Sequence, residues 1–125
     1  MAQTKRQQIL VVEDEQGIRD IIQAALSSEY DILLAVNGEE GVHQAKIYKP
    51  QLILLDIRMP GMGGLSALAK LKTYEETRHI PVIMVSVEGD TDALLDSQRS
   101  GAADHVIKPF QIDQLREVVH RHLLL

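Results

Sequence analysis

Short apolar runs and helical stripes alternate five times along this chain. The apolar runs, which predict strands, lie at residues 9–12, 31–36, 52–55, 80–87 and 104–107. After the first run, the spacing of a single helix face is kept by Ile18, Ile21, Ile22, Ala25 and Leu26. Repeated strand–helix units require a parallel sheet with right-handed crossovers. Helices on both faces of that sheet explain why the apolar runs are unbroken.

Polar residues and glycines mark the predicted helix ends. Asn37 is placed to cap the second helix, with an acid three residues later. Asp90 and Thr91 are placed to cap the fourth helix, and Gly101 closes it. A glycine-rich loop at 59–64 separates the third strand from the third helix.

Five such units predict an α/β fold. We expect a doubly wound five-stranded parallel sheet in the flavodoxin-like order 2-1-3-4-5, with helices on both faces. In that order, strands one, three, four and five bring their carboxyl ends together, where open sheets of this kind bind ligands. A chain of 125 residues fits one domain. We predict a polar amino-terminal tail over residues 1–8 and the domain over residues 9–125.

Composition excludes several classes of protein. The chain has no cysteine, so disulfides, thiolate metal sites and thiol catalysis are excluded. Its net charge of -5 argues against nucleic-acid binding by this domain. The first eight residues lack the apolar stretch of a signal peptide, and no apolar run is long enough to span a membrane. We therefore expect a soluble, cytoplasmic protein without a membrane partner.

Acidic residues end two of the predicted strands. Glu13 and Asp14 follow the first strand, and Asp56 follows the third. Carboxylates crowded at one sheet edge repel each other, and a divalent cation removes that cost. Hard oxygen ligands with open positions suit Mg²⁺ and phosphate partners. We expect Asp14 and Asp56 to bind Mg²⁺ directly and Glu13 to act through water.

Two further polar residues fall at the same edge. Lys108 follows the fifth strand and precedes a proline, and Ser86 ends the fourth strand. The Lys108 ammonium can pair with Asp56 and with a phosphoryl oxygen, and the Ser86 hydroxyl can donate to such an oxygen. Carboxylates form acyl phosphates by attacking a phosphoryl group, so Asp56 is the predicted nucleophile. The protein then supplies positioning and charge neutralisation.

Together these motifs resemble the receiver domain of two-component response regulators. The resemblance runs from about Ile9 to the end and rests on Glu13-Asp14, Asp56-Ile57-Arg58-Met59-Pro60, Ser86 and Lys108-Pro109-Phe110. Each motif is weak alone, but all of them in this order and spacing are highly specific. The resemblance implies a phosphoacceptor switch that assists only its own phosphorylation and dephosphorylation and is not a turnover enzyme.

The resemblance also implies partners and ligands. A sensor histidine kinase or a phosphotransfer protein would phosphorylate Asp56. Mg²⁺ would lie on Asp14, Asp56 and the backbone carbonyl of Arg58, with Glu13 outside them. Ser86 would move toward the phosphoryl group and Lys108 would hold it. The surface of the fourth helix, fifth strand and fifth helix would then change shape and bind a downstream partner.

Two residues depart from the family pattern. His105, three residues before Lys108, replaces the usual tyrosine or phenylalanine of the switch position. We interpret it either as a switch residue or as a histidine packed at a strand end. Val87 follows Ser86 where a small residue is usual. Its bulk is expected to narrow access to Asp56.

Arg58 and Glu88 lie two residues beyond Asp56 and Ser86, where the family tunes dephosphorylation. We expect their opposite charges to pair across the opening of the site and to hinder the attacking water.

Alternatives to a phosphoacceptor switch remain open. A magnesium phosphohydrolase with an aspartate nucleophile resembles an Asp-x-Asp motif, and Arg58 stands where its second acid belongs. A phosphorylation-independent interaction module on the same fold is the second alternative. No glycine-rich phosphate loop is present, which disfavours nucleotide hydrolysis.

The chain is either a whole regulator or a receiver cut from a protein with an output domain. Phosphorylation-dependent homodimerisation is a further expectation.

Overall fold

The computed structural model describes residues 6–123 as five strands alternating with five helices. The elements are β1 Gln8–Val12, α1 Gln16–Leu26, β2 Asp31–Ala35, α2 Gly38–Tyr48, β3 Leu52–Asp56, α3 Gly64–Thr73, β4 Val82–Val87, α4 Thr91–Arg99, β5 Asp104–Lys108 and α5 Ile112–Leu123. Most of the predicted tail at 1–8 lies outside the described residues. Among the helices of residues 6–123, none is both long and apolar enough to span a bilayer.

All five strands form one parallel sheet in the order β2-β1-β3-β4-β5. The predicted fold class and strand order are confirmed. The fourth strand begins at Val82, two residues later than predicted, and Pro81 before it has no backbone N–H to donate. The second strand ends at Ala35, one residue before its predicted end.

The strand residues alternate between two cores, one on each face of the sheet. On one face, Ile9, Leu54 and Val85 pack with α1 and α5, through residues such as Leu26 and Leu115. On the other face, alternate residues of the same strands pack with α2 and α3; they include Leu10, Val12, Ile53, Leu55 and Met84. Burial on both faces fixes the register, because a one-residue slip would exchange the two sets of side chains.

Helix α4 covers its side of the sheet least completely. Ser97 is its one buried residue, while Ala93 and Leu94 are only partly buried and Leu95 is 45% exposed.

The helix ends follow the predicted capping only in part. Asn37 caps α2, accepting the backbone N–H of Glu40 at 2.8 Å. The carboxylate of Asp90 makes no such bond to α4.

Candidate functional site

Sheet register brings the predicted acidic residues together. Val12 is level with Leu55, and Asp56 is level with Val85 of the neighbouring strand. Glu13, which follows Val12 directly, therefore emerges beside Asp56 at the carboxyl edge of the sheet.

The same register brings in the predicted lysine and serine. Val87 is level with Lys108, and Ser86 is level with Ile107. Because β4 lies between β3 and β5, both polar residues reach the edge where Asp56 ends its strand. The peptide bond between Lys108 and Pro109 is cis.

Asp56 is almost completely buried, with 5% of its surface exposed. Its Oδ1 accepts the backbone N–H of Arg58 at 3.2 Å. Its Oδ2 accepts a hydrogen bond from Lys108 Nζ at 3.2 Å. An amide and an ammonium therefore hold this buried carboxylate in a fixed orientation in a site of low dielectric.

Lys108 also neutralises a second buried carboxylate. Its Nζ lies 2.8 Å from Glu13 Oε1, with the distance of an ion pair but without the angle of a hydrogen bond. Burial raises the pKa of Glu13 to about 7; the Lys108 ammonium opposes this shift and the nearby Asp56 adds to it. Burial works to lower the pKa of Lys108, but Glu13 and Asp56 outweigh burial and raise it. Two carboxylates thus share one ammonium.

The acidic residues also fit a hard cation. Glu13, Asp14 and Glu15 each offer one oxygen, and these oxygens lie within 4.8 Å of one another. Glu13 Oε2 already accepts the backbone N–H of Glu15 at 3.2 Å, while Oε1 is buried and accepts no hydrogen bond from the described residues. Such oxygen donors suit Mg²⁺. The sequence interpretation did not include Glu15, although three consecutive acids signal it.

The Ser86 hydroxyl has no hydrogen-bond partner among the described residues. Ser86 is 1% exposed, so its hydroxyl is buried away from bulk solvent. Native proteins seldom leave a buried hydroxyl unpaired. A hydroxyl in this state, one residue past the level of Asp56, is available to an added acceptor.

The loop after Asp56 folds back tightly on the site. Ile57 donates its N–H to Val85 O at 2.9 Å, and Gly64 donates its N–H to Ile57 O at 2.9 Å. A Cβ on Gly64 would lie 2.1 Å from the Asp56 carbonyl oxygen. Glycine is therefore required where α3 starts against the backbone of the predicted nucleophile.

Arg58 does not pair with Glu88 as predicted. Its Nε donates to Asp90 Oδ1 at 2.8 Å, and its Nη2 also contacts that oxygen. Glu88 is exposed and forms no ion pair within residues 6–123. The prediction chose the wrong acid because it treated Asp90 only as a helix cap. Asp90 is buried and accepts the Val87 N–H at 3.1 Å, which orients it toward the loop.

The structure also locates the other two departures from the family pattern. His105 is half-buried in β5, level with Met84, and its backbone N–H donates to Asp104 Oδ1. Val87 is 41% exposed. Val87 lines an apolar groove of about 280 Å³ beside the buried carboxylates, together with Ile18, Ile21, Lys108, Pro109 and Phe110.

Known proteins share both the sequence pattern and the fold. Residues 9–120 match the family model of the response regulator receiver domain. Sporulation initiation phosphotransferase F of Bacillus subtilis is 35% identical over 120 residues, covering 95% of each chain. Regulatory protein AtoC of Escherichia coli is 36% identical over 118 residues, covering 94% of this chain but 25% of AtoC.

A solved structure extends the comparison to three dimensions. It is the receiver domain of a sensor histidine kinase from Pseudomonas aeruginosa PAO1, with a magnesium ion coordinated in its active site cleft. The TM-score is 0.84 at 30% identity, covering 93% of this chain and 96% of that one. The chain therefore belongs to the response regulator receiver domain family of two-component systems.

Proposed function

We propose that this receiver domain takes a phosphoryl group onto Asp56 and acts as a phosphorylation-controlled switch. The observation that carries the proposal is the immediate surroundings of Asp56. Its buried carboxylate accepts from Lys108, and the buried Ser86 hydroxyl one residue past its level has no partner among residues 6–123. These groups match the needs of an acyl phosphate, which requires a fixed carboxylate and donors for the added oxygens.

The donor we propose is a phosphohistidine on a sensor histidine kinase or a phosphotransfer protein. An Asp56 oxygen forms the new O–P bond while the N–P bond of the donor breaks. The leaving imidazole keeps the electron pair and takes up a proton. No general base is needed, because the carboxylate attacks in its ionised form. Lys108 already contacts Asp56 and holds positive charge where the phosphoryl oxygens arrive.

Mg²⁺ is the cofactor that fits these residues. Asp14, Asp56 and the backbone carbonyl of Arg58 would hold it, with Glu13 acting through water. When bound, the ion neutralises the charge of the transferring phosphoryl group. The crowding of Glu13 and Asp56 around one ammonium supports this assignment, because two buried carboxylates exceed the charge that Lys108 supplies.

Ser86 is the residue we assign to move on phosphorylation, by donating its hydroxyl to a phosphoryl oxygen. His105 is the candidate second switch residue, since it lies on β5, which carries Lys108 and also forms part of the surface of α4, β5 and α5. The partial coverage by α4 supports a change of shape there, because loosely packed elements rearrange at low cost. A downstream protein partner or an output domain would bind that surface.

The donor protein would dock on the apolar groove beside Asp56. Ile21 and Val87 are 46% and 41% exposed there, and Lys108 links the groove to the site. A donor must bring its phosphohistidine to a buried carboxylate, so its apolar surface has to seat next to the opening.

One experiment tests the proposal. The protein is incubated with Mg²⁺ and acetyl phosphate, and its intact mass is followed over time. We expect one added phosphoryl group in the wild-type protein and none in Asp56→Ala. The exposed Asp20→Ala variant is the matched control and should be modified like wild type.

The other outcomes identify the alternatives. Steady release of phosphate from generic phosphate esters would indicate a phosphohydrolase. Absence of any modification, from acetyl phosphate and from a purified histidine kinase, would favour a phosphorylation-independent interaction module. Retention of the added mass in Asp56→Ala would place the modification on another residue.

A further inference from the structure

Asp90 is the N-cap residue of α4, directly before Thr91, but its carboxylate forms its contacts elsewhere. Its backbone carbonyl accepts the N–H of Leu94 at 2.9 Å, as an N-cap residue does. The side chain makes no bond to the helix amides. Its two oxygens are divided between the Val87 N–H, at 3.1 Å from Oδ2, and the guanidinium of Arg58 on Oδ1.

Asp90 therefore joins two loops of the site. Arg58 belongs to the loop after β3, two residues from Asp56. Val87 ends β4, directly after Ser86. The Asp90 side chain is 1% exposed, so this carboxylate is buried and depends on these two partners. Losing either partner leaves it under-bonded.

Arg58 is the exposed partner of the pair. Its side chain is 70% exposed, and only Asp90 holds its guanidinium among the described residues. Contacts with Asp90 raise the pKa of Arg58, and the charge of Asp56 adds to this effect. The guanidinium is therefore within electrostatic reach of Asp56. A phosphoryl group on Asp56 would bring more negative charge and a geometry that guanidinium groups bind well.

We propose that Asp90 and a phosphoryl group on Asp56 compete for the Arg58 guanidinium, so that the Arg58–Asp90 pair holds the loop between β4 and α4 in its unphosphorylated arrangement. This inference rests on the proposed function. Once Arg58 turns to the phosphoryl group, Asp90 loses its cation and can cap the free amides of α4 instead. The Val87 N–H is then released, and the adjoining Ser86 is free to move toward Asp56.

NMR of the metal-free protein tests the starting arrangement. In wild type, the Arg58 Nε–H signal should exchange slowly with water, because it donates to a buried carboxylate. Asp90→Asn should make it exchange rapidly. The Val87 amide should lose protection in Asp90→Ala, which removes both acceptor oxygens, and in Arg58→Ala. Glu88→Gln is the control, since it removes a neighbouring acid that does not contact Arg58, and both signals should remain as in wild type.

Phosphorylation kinetics test the competition. With acetyl phosphate and Mg²⁺, Asp90→Asn should be modified about fivefold faster than wild type, at the lower end of coupling between sites. In an Arg58→Ala background, the same substitution should change the rate by less than about twofold. If Asp90→Asn acted only by removing a negative charge near the site, it would accelerate phosphorylation equally in both backgrounds. Glu88→Gln would then accelerate phosphorylation as well.

The outcomes separate the two proposals. If wild type takes up no phosphoryl group, the proposed function fails and the competition fails with it. If wild type is phosphorylated but the Arg58 Nε–H signal keeps its position and slow exchange, only the competition is overturned. Equal acceleration by Asp90→Asn in both backgrounds would overturn it as well.

Discussion

Lys108 and Asp56 are 52 residues apart in the chain, yet Lys108 Nζ donates to Asp56 Oδ2 at 3.2 Å. The contact spans β4, which lies between the strands that carry the two residues. Because Glu13 shares the same ammonium, Lys108 is the charge that allows two buried carboxylates to coexist. Its removal should therefore affect stability as well as phosphorylation.

Lys108→Met tests that conclusion in the absence of metal. The side chains of Glu13 and Asp56 are 1% and 6% exposed, so both carboxylates would lose a charged partner while remaining buried. We expect the free energy of unfolding to fall by about 1–3 kcal/mol, the cost of leaving a buried polar group unpaired. Urea denaturation in a chelating buffer measures it. Lys70→Met is the exposed control and should change little; a similar loss in both variants would contradict the role of Lys108.

Gly64→Ala is expected to disturb the site through packing alone. The added Cβ would meet the Asp56 carbonyl oxygen at 2.1 Å, so the backbone must shift. We expect a loss of about 1–3 kcal/mol in the free energy of unfolding, as for other overpacked positions. Phosphorylation of Asp56 should slow as well.

Gly17→Ala is the matched control for that substitution. Nothing lies within 4 Å of a Cβ at position 17, which is in α1. Alanine there should stabilise the protein by about 0.4–1 kcal/mol, by restricting the unfolded chain. Thermal denaturation of both variants should show opposite signs. A Gly64→Ala protein as stable as wild type would mean that α3 does not start against the Asp56 carbonyl.

The sequence was sufficient for the fold because the central strands β1, β3 and β4 are buried on both faces. Unbroken runs such as Leu52 to Leu55 can only be central strands between helices, and alternation with helical stripes then requires a parallel sheet. Strand ends were less predictable. Val82 begins β4 where Ile80 was expected, because the apolar run starts before the strand does and Pro81 has no backbone N–H to donate.

At the site, the sequence predicted residues whose position follows from the backbone. Asp56, Glu13 and Lys108 reach one edge through strand register, which the sheet order fixes. The partner of Arg58 depended instead on a loop conformation and a side-chain rotamer. Sequence spacing predicted Glu88 as that partner and Asp90 only as a helix cap. The orientation of Asp90 toward the Val87 N–H was not visible in the sequence.

Asp104 should make stability depend on pH at the acidic end. Burial acts to raise its pKa, but His122, the His105 amide and Arg121 outweigh burial, and the pKa is lowered from its ordinary value of 3.8. A lowered carboxyl pKa contributes stability above the unfolded value, and that contribution is lost as the pH falls through the folded value. Asp104→Asn should therefore be less stable than wild type at neutral pH, by about 0.5–1 kcal/mol for a partly exposed pair.

The difference between Asp104→Asn and wild type should shrink as the pH falls below 3.8, the ordinary pKa of the carboxyl group. Urea denaturation from neutral pH downward measures it. Asp20→Asn, which alters an exposed acid on α1, should follow wild type throughout. A difference that is constant with pH would show that the Asp104 charge does not contribute.

Val87 should limit how quickly small donors reach Asp56. Val87 is 41% exposed and lines one groove with Lys108, whose ammonium contacts Asp56. Val87→Ala should raise the rate of phosphorylation by acetyl phosphate about two- to fivefold, which corresponds to about 0.4–1 kcal/mol of barrier. Val87→Thr keeps the branched shape and should react like wild type, which separates bulk from hydrophobicity. Intact-mass kinetics at equal Mg²⁺ provide the measurement, and equal rates for the wild type and Val87→Ala would show that access to Asp56 is controlled elsewhere.

If a histidine kinase docks on this groove as proposed, Val87→Ala should slow phosphoryl transfer from the kinase while it speeds transfer from acetyl phosphate. The reason is that the same methyl groups obstruct the small donor and contact the large one.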